Sequence, residues 1–408
     1  MKTEIATINT SINGITIPSD WDISSIYNLV DILGGGTPST QNKDYWDGNI
    51  PWLSVTDFNN GQRRVFDTDK KITEKGLNES NTQILKKGQI IISARGTVGV
   101  IAQVGKDMTF NQSCYGIVGK NGISNDFVYY LLKNYISDFK QKSHGAVFDT
   151  ITRDTFKNID VAVPSAQERD QISEILSSID DKIELNRRIN FNLEKLGGLL
   201  FRQWIVDSGQ ELPDGWKNGK VSDLIRVESG FPFHSSMFDE NGDYKLVTIK
   251  NVQDGFFVPE CTDSLSEIPS KVPIHCKLNN GDILLSLTGN VGRVCFVYGE
   301  NYLLNQRVAN LVPIDENNRA FTYFLFRQKD FQNTLIGISR GTAQQNLSPI
   351  ETKSLEITIP SQDMLDRFAD VANPIFQKLV ENYNEIKNLS ILRDSLLPRL
   401  MNGKIRVK

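Results

Sequence analysis

The chain has 408 residues, more than the roughly 100–200 of an ordinary domain, so two or more domains are expected. Its 39% hydrophobic and 23% charged residues, with 30 Gly and 14 Pro, exclude a collagenous, low-complexity or wholly disordered chain. With 45 basic against 49 acidic side chains the net charge is −4, which offers nucleic acid no global electrostatic footprint.

Residues 1–15 lack the basic-then-apolar pattern of a secretion signal, and no apolar run reaches the roughly 18–20 residues of a membrane span. A cytoplasmic protein with no membrane contact is expected. Cys114, Cys261, Cys276 and Cys295 lie far apart without a Cys-x-x-Cys pair, so they read as reduced core thiols rather than disulfides or zinc ligands.

Taken in chain order, the predicted elements occur twice. An opening Ile17-Pro18-Ser19-Asp20-Trp21 returns as Leu212-Pro213-Asp214-Gly215-Trp216. A β-branched strand, Leu53-Ser54-Val55 with Gly61 downstream, returns as Val247-Thr248-Ile249 with Gly255. A turn, a buried strand and a glycine turn follow: residues 85–99 match residues 278–292, with Ser93-Ala94-Arg95-Gly96-Thr97 opposite Ser286-Leu287-Thr288-Gly289-Asn290. Phe110-Asn111-Gln112 and Leu304-Asn305-Gln306 come next, then a helical piece near residues 127–139 or 321–335. Ser143-His144-Gly145 and Ser339-Arg340-Gly341 then precede Pro164-Ser165 and Pro360-Ser361. Matching blocks in the same order and at nearly the same spacing indicate an internal duplication. Charge divides accordingly, with 22 basic and 24 acidic groups in residues 1–200.

Each copy ends in a long periodic segment. Ile172, Leu176, Ile179, Ile183, Asn186, Asn190, Leu193, Gly197 and Leu200 alternate by four and three, and so do Phe368, Ala372, Ile375, Leu379, Asn382, Ile386, Leu389, Arg393 and Leu396. This is the a/d register of a coiled coil. Residues 166–204 as a helix would span on the order of 60 Å at ~1.5 Å per residue, longer than one module needs, so the two helices are expected to pair as an antiparallel spacer. Asn186 and Asn382 hold equivalent seam positions and are expected to control register. Pro374 is expected to kink the second helix, and Gly197-Gly198 to weaken the end of the first.

The expected fold class is therefore α+β: two similar modules joined by two long helices in an antiparallel coiled-coil spacer, with a pseudo-two-fold internal repeat. The boundaries read as a first module at 1–164, a central helix at 165–206, a second module at 207–360, and a C-terminal helix and tail at 361–408. A two-fold arrangement matches the symmetry of a DNA backbone about a dyad, where protein geometry sets half-site spacing.

At this point the chain resembles the specificity subunits of type I restriction-modification systems. The resemblance rests on the duplicated Pro-x-x-Trp openings and on Gly34-Gly35-Gly36-Thr37-Pro38-Ser39, with Tyr45-Trp46 and Ile50-Pro51-Trp52-Leu53-Ser54 after it. It also rests on the glycine-turn strands and the Pro164 and Pro360 helix starts. It covers residues 17–403. It implies two target recognition domains, each reading one half of a bipartite, asymmetric site in double-stranded DNA. It further implies helices that dock two methyltransferase subunits, a core that restriction subunits can join, and a subunit without a cofactor or catalysis of its own.

The duplicated loops differ where readout would occur. Arg95 beside Ser93 and Thr97 is replaced by Thr288 and Asn290, and Arg is the commonest bidentate reader of guanine. Lys142 and His144 are answered by Arg340, Thr342, Gln344, Gln345 and Asn346, and Gln or Asn can pair bidentately with adenine. Any of these also fits a solvated polar turn. Asn111-Gln112 and Asn305-Gln306, shared by both copies, read as scaffold hydrogen bonding, and Trp46 and Trp52 as core. Residues 80–120 hold Lys86, Lys87, Arg95, Lys106 and Lys120 against Asp107 alone, a local basic patch for phosphates. Lys133, Lys140, Lys142, Arg153 and Lys157 add a second, and Arg293 and Arg307 flank the equivalent loop. The tail of Lys404, Arg406 and Lys408 fits a phosphate contact or a solubilising end, and reads better as the latter.

Catalytic motifs are missing from the sequence. There is no phosphate-binding Gly-x-x-x-x-Gly-Lys-Ser/Thr, no Pro-Pro pair such as an amino-methyltransferase motif needs, and His144, His234 and His275 are scattered. No metal or cofactor is expected. Two other readings stay open on residues alone: a tandem ligand-binding interaction protein, and a nuclease with an unrecognised site.

Overall fold

The computed structural model describes residues 11–12, 14–143, 150–207, 212–341 and 345–407. The chain folds into two units. One comprises Met1–Glu184 with Leu389–Lys408, the other Leu185–Asn388. Each unit thus contains one α+β module and a stretch of both long helices.

In the first unit, a five-stranded sheet runs in the order Val30–Gly34, Cys114–Gly119, Ile90–Ser93, Ile101–Val104, Arg64–Val65, antiparallel except for its last pair. Ile90–Ser93 is buried along its whole length, which is why it reads as a continuous β-branched run instead of an alternating one. A four-stranded sheet orders Lys70–Ile72, Trp46–Leu53, Met108–Phe110, Ile84–Leu85, with one parallel pair at its centre. Asp22–Ser25 pairs with Asp160–Val163, tying the start of the module to the strand that leads into the first long helix.

The second unit repeats this plan but for one edge strand. Its sheets order Ile225–Ser229, Val308–Pro313, Ile283–Ser286, Val294–Phe296, and Ser264–Leu265, Tyr244–Val247, Tyr302–Leu304, Lys277–Leu278, the latter again with a parallel central pair. Lys217–Lys220 closes on Glu356–Ile359 as its counterpart does in the first unit. Among the described residues only the first module carries the extra parallel strand, Arg64–Val65. Duplication is thus visible in topology as well as in sequence.

The long helices are Ala166–Phe201 and Gln362–Met401. Their seams are buried as the heptads require, at Ile172, Leu176, Ile183, Asn186 and Asn190 in one and Phe368, Ala372, Leu379 and Asn382 in the other. Within the second unit Asn190 meets Asn382 and Asn186 meets Glu385; within the first, Asp180 meets Arg393 and Glu168 meets Arg406. One number rises as the other falls, so the helices run antiparallel in each unit. The second helix continues through Pro374 without interruption, and the first through Gly197 and Gly198 to Phe201. Gly197 has a packing reason: a Cβ there would lie 2.0 Å from the Phe324 ring.

Both helices feed both cores. Ile172, Leu176, Leu397, Leu400 and Met401 join the core of the first unit, and Phe201, Ile205, Leu365, Phe368 and Phe376 that of the second. All four cysteines are free, and burial pushes the Cys114 and Cys261 thiols up to about 12. No described helix is long and apolar enough to cross a membrane.

Candidate nucleic-acid interface

In each module the strand Ile90–Ser93 or Ile283–Ser286 runs into a glycine turn. Gly88, Gly96 and Gly99 have φ of 85°, 75° and 82°, and Gly281, Gly289 and Gly292 have 85°, 73° and 79°. L-residues with a Cβ rarely hold this left-handed region, so glycine at these positions fixes the path of the chain. The surrounding hydrogen bonds also repeat. Gly99 N–H donates to the Ser93 carbonyl at 3.0 Å and Gly292 N–H to that of Ser286 at 3.1 Å. Ala94 N–H donates to Ser113 at 2.8 Å, and Leu287 N–H to Arg307 at 3.0 Å. The residues carried on the turn, Arg95 and Thr97 or Thr288 and Asn290, are therefore presented by the same scaffold.

Their settings differ. Arg95 and Thr97 are exposed, while Ser93 is fully buried and spent on the turn, its hydroxyl donating to Thr97 O at 2.5 Å and accepting from Val100 N–H at 2.8 Å. Thr288 is 2% exposed, donating to Asn346 Oδ1 at 2.9 Å and accepting from Arg307 at 3.4 Å. Arg340 and Asn346 pair through their backbones, and the mostly exposed Arg340 guanidinium bonds Glu351. The Asn290 amide oxygen, turned toward Arg293, accepts from its guanidinium at 3.1 and 3.2 Å, and Arg293 also bonds Gln253. The second module thus gathers Thr288, Asn290, Arg293, Arg307, Arg340, Gln345 and Asn346 around one turn. His144, Thr342 and Gln344 lie outside the described residues.

Lys86 and Lys87 sit at the other end of the same strand, away from Arg95. Lys86 pairs with Asp107 at 2.8 Å, and this contact, with the Lys87 backbone N–H, holds the Asp107 carboxyl below its ordinary value. Lys142 donates to the Asn158 carbonyl, near the helix Arg153–Lys157. Asn111 and Asn305 accept from the following turn at 3.1 and 2.7 Å, while their own N–H groups donate to Leu53 and Val247. Gly35 and Gly230 press so closely on them that a Cβ would lie 2.0 and 2.2 Å from the Asn111 and Asn305 carbonyls. Both asparagines are scaffold. Trp46 and Trp52 form an edge-to-face pair whose indole N–H groups reach the Ser39 and Gly36 carbonyls.

Three features escaped the sequence. A cleft of about 280 Å³ beside the second glycine turn is lined by Asp254, Asn290, Arg293, Lys329, Gln332 and Gln345. Asp254 comes from a segment distant from Lys329 and Gln332, which share the helix Lys329–Ile338, and the three gave no motif. Arg406 donates to Asp20 at 2.9 and 2.7 Å and to Glu168 at 2.7 and 3.0 Å, and stacks 5.6 Å from Trp21, so this tail residue is a structural latch and not a solubilising end. Arg63 is buried between Gln103 and Asp126 rather than displayed to solvent. Among the described residues no cluster of His, Cys, Asp and Glu is arranged to hold a metal ion.

A tandem pair of such modules, each closed on antiparallel helices, defines a modular protein with two comparable surfaces. The model of the type I restriction modification DNA specificity domain matches residues 18–195 and again 213–387. The type I restriction enzyme MjaIX specificity subunit of Methanocaldococcus jannaschii is 29% identical over 96% of this chain and 95% of its own length. The MjaVIII specificity subunit of the same organism is 25% identical over 97% and 95%. The type I restriction-modification S subunit of M. genitalium shares the fold, with a TM-score of 0.63 at 16% identity over 96% of this chain and 98% of that one. The chain belongs to the type I restriction-modification specificity subunits.

Proposed function

We propose that this subunit binds double-stranded DNA sequence-specifically, each module reading one half of a bipartite, asymmetric site. The recognition modules are placed at 1–164 and 207–360, and the helices at 165–206 and 361–408. The observation that carries this reading is the pair of glycine turns, superposable in backbone conformation and hydrogen bonding but carrying Arg95 and Thr97 in one copy and Thr288 and Asn290 in the other. One scaffold with two sets of side chains suits two different short sequences, whereas identical copies would favour a palindrome.

In this reading the long helices set the gap between half-sites and dock two methyltransferase subunits. Methyl transfer, and cleavage where restriction subunits join, are supplied by those partners; the chain itself is non-catalytic. Since its net charge is −4, much of the nonspecific DNA affinity comes from the partners as well. The deciding experiment is methylome sequencing of cells carrying the candidate methyltransferase with and without this chain. A bipartite asymmetric motif that disappears with the chain is expected. Unchanged methylation in cells where the methyltransferase is active on that motif would overturn the proposal.

A further inference from the structure

The two halves of the duplicated chain are alike enough to raise a physical problem. Each unit contains one module and helix segments from both halves, so a half could in principle close on a second copy of itself. The places where helix meets module carry different chemistry in the two units.

In the first unit the buried Asp180 accepts from Tyr130 Oη at 2.7 Å and pairs with Arg393 at 2.7 Å, the carboxylate and guanidinium side chains being 3% and 13% exposed. The offset of 193 that relates Tyr130 to Tyr323, and that of 196 that relates Asn186 to Asn382, locate the counterparts in the second unit. Asp180 becomes Phe376, whose ring lies 5.2 Å from Tyr323, and Arg393 becomes Gly197, pressed against Phe324. There Tyr323 Oη donates instead to Glu194, at 2.9 and 3.0 Å, and Glu194 also accepts from Arg327 Nε at 3.0 Å. The counterpart of Glu194 is Ser390. So each buried tyrosine finds a carboxylate, but from the same half's helix in one unit and from the other half's in the second.

We propose that these two unlike locks make each module accept only the helix end of the opposite half, so that the halves pair with one another and refuse a second copy of themselves. In a self-pair of N-terminal halves, Gly197 would stand where Arg393 stands, leaving Asp180 buried without its cation. In a self-pair of C-terminal halves, Arg393 would drive into Phe324 while Ser390 faced Arg327 and Tyr323 without a carboxylate. The stripped Asp180 charge is strongly destabilising in the first arrangement; in the second Arg327 keeps Asp254 but loses Glu194, and the collision of Arg393 with Phe324 carries the penalty. The seam adds to this, because Asn186 takes Glu385 as its partner and the residue at that place in a self-pair is Ile189.

The test uses the full chain with a protease site inserted between Asp207 and Leu212, purified intact, then cut, and mixed with an isotopically heavy preparation before native mass spectrometry. Pairs of one N-terminal and one C-terminal piece are expected, with no homodimers of either. Homodimers from the unsubstituted chain would overturn the proposal. Gly197→Arg supplies the missing cation to a self-pair and collides with Phe324 in the proper pair. Asp180→Leu removes the carboxylate that a self-pair strands, and covers the case in which Gly197→Arg does not fold. Homodimers of the N-terminal piece, absent from the unsubstituted chain, should appear in at least one of the two. No increase in either would also overturn it.

Discussion

Asn382 donates its side-chain amide to Oδ1 of Asn190 at 2.8 Å, and the two residues are 1% and 2% exposed in the seam of the second unit. A shift of one turn would set the Asn190 amide against Leu379 or Ile386. If the contact selects a register, it does so at a cost in burial that leucine would not incur. Asn382→Leu alone strands the Asn190 amide and should lower stability by about 1–3 kcal/mol. Asn190→Leu with Asn382→Leu should recover that loss or exceed the parent. Denaturant unfolding of the four forms gives the coupling energy directly, and additive losses would show that the pair does not act together.

Arg406 ties the end of the chain to Asp20 and Glu168, and its guanidinium holds the Asp20 carboxyl below the ordinary value. A carboxylate whose folded pKa is depressed contributes stability above its unfolded value, roughly 3.9, and loses it as pH falls through the folded value. Hydrogen exchange of residues 402–407, corrected for intrinsic rate, should stay constant from about pH 8 to 5 and lose protection below about pH 4. Arg406→Gln should lose that protection at every pH. Unchanged protection in the variant would mean that the helix end, not the latch, holds the tail.

The duplication was legible because its markers are local. Glycines at 88, 96 and 99 and at 281, 289 and 292 are demanded by backbone conformation, and the heptads by a period that three turns of helix reveal. The locks were not legible, because Asp180 and Arg393, or Glu194 and Tyr323, are joined by folding across more than a hundred residues and leave no periodic trace. Arg406 was misread for the same reason, its partners Glu168 and Asp20 lying 238 and 386 residues away. Pro374 misled in the other direction: sequence alone expects an interruption, whereas the helix runs on from Gln362 to Met401 with Ala372, Ile375 and Leu379 buried along its seam. The glycine-turn loops were located by the repeat, but their contents were sorted only by contacts that separate buried Ser93 and Thr288 from exposed Arg95 and Asn290.

That sorting predicts different behaviour for two basic residues of the first module. Arg95 rides on the turn, exposed, and Lys87 lies at the far end of the strand. If Arg95 reads a base, Arg95→Ala should cost the assembled complex about 1–3 kcal/mol of DNA affinity and relax specificity at one position of one half-site. Lys87→Ala should weaken all sequences alike and reduce the slope of log affinity against log salt by about one. Binding to a library of site variants at several salt concentrations separates the two, and a sequence-independent loss for Arg95→Ala would reassign it to the phosphate backbone.

The register contacts also determine how the gap can be altered. A heptad inserted into the first helix alone would part Asn190 from Asn382 or Asp180 from Arg393, so it should destabilise the protein before it changes recognition. Matched heptads, one after Glu184 and one after Asn388, preserve every pairing, because these are the points where the two units divide both helices. Seven residues at ~1.5 Å each add about 10 Å, or about three base pairs at ~3.4 Å. The methylated motif should then keep both half-sites and widen its gap by about that amount, the exact figure depending on the rotation that the added turns introduce. An unchanged gap in a stable, active variant would mean that the helices do not measure the site.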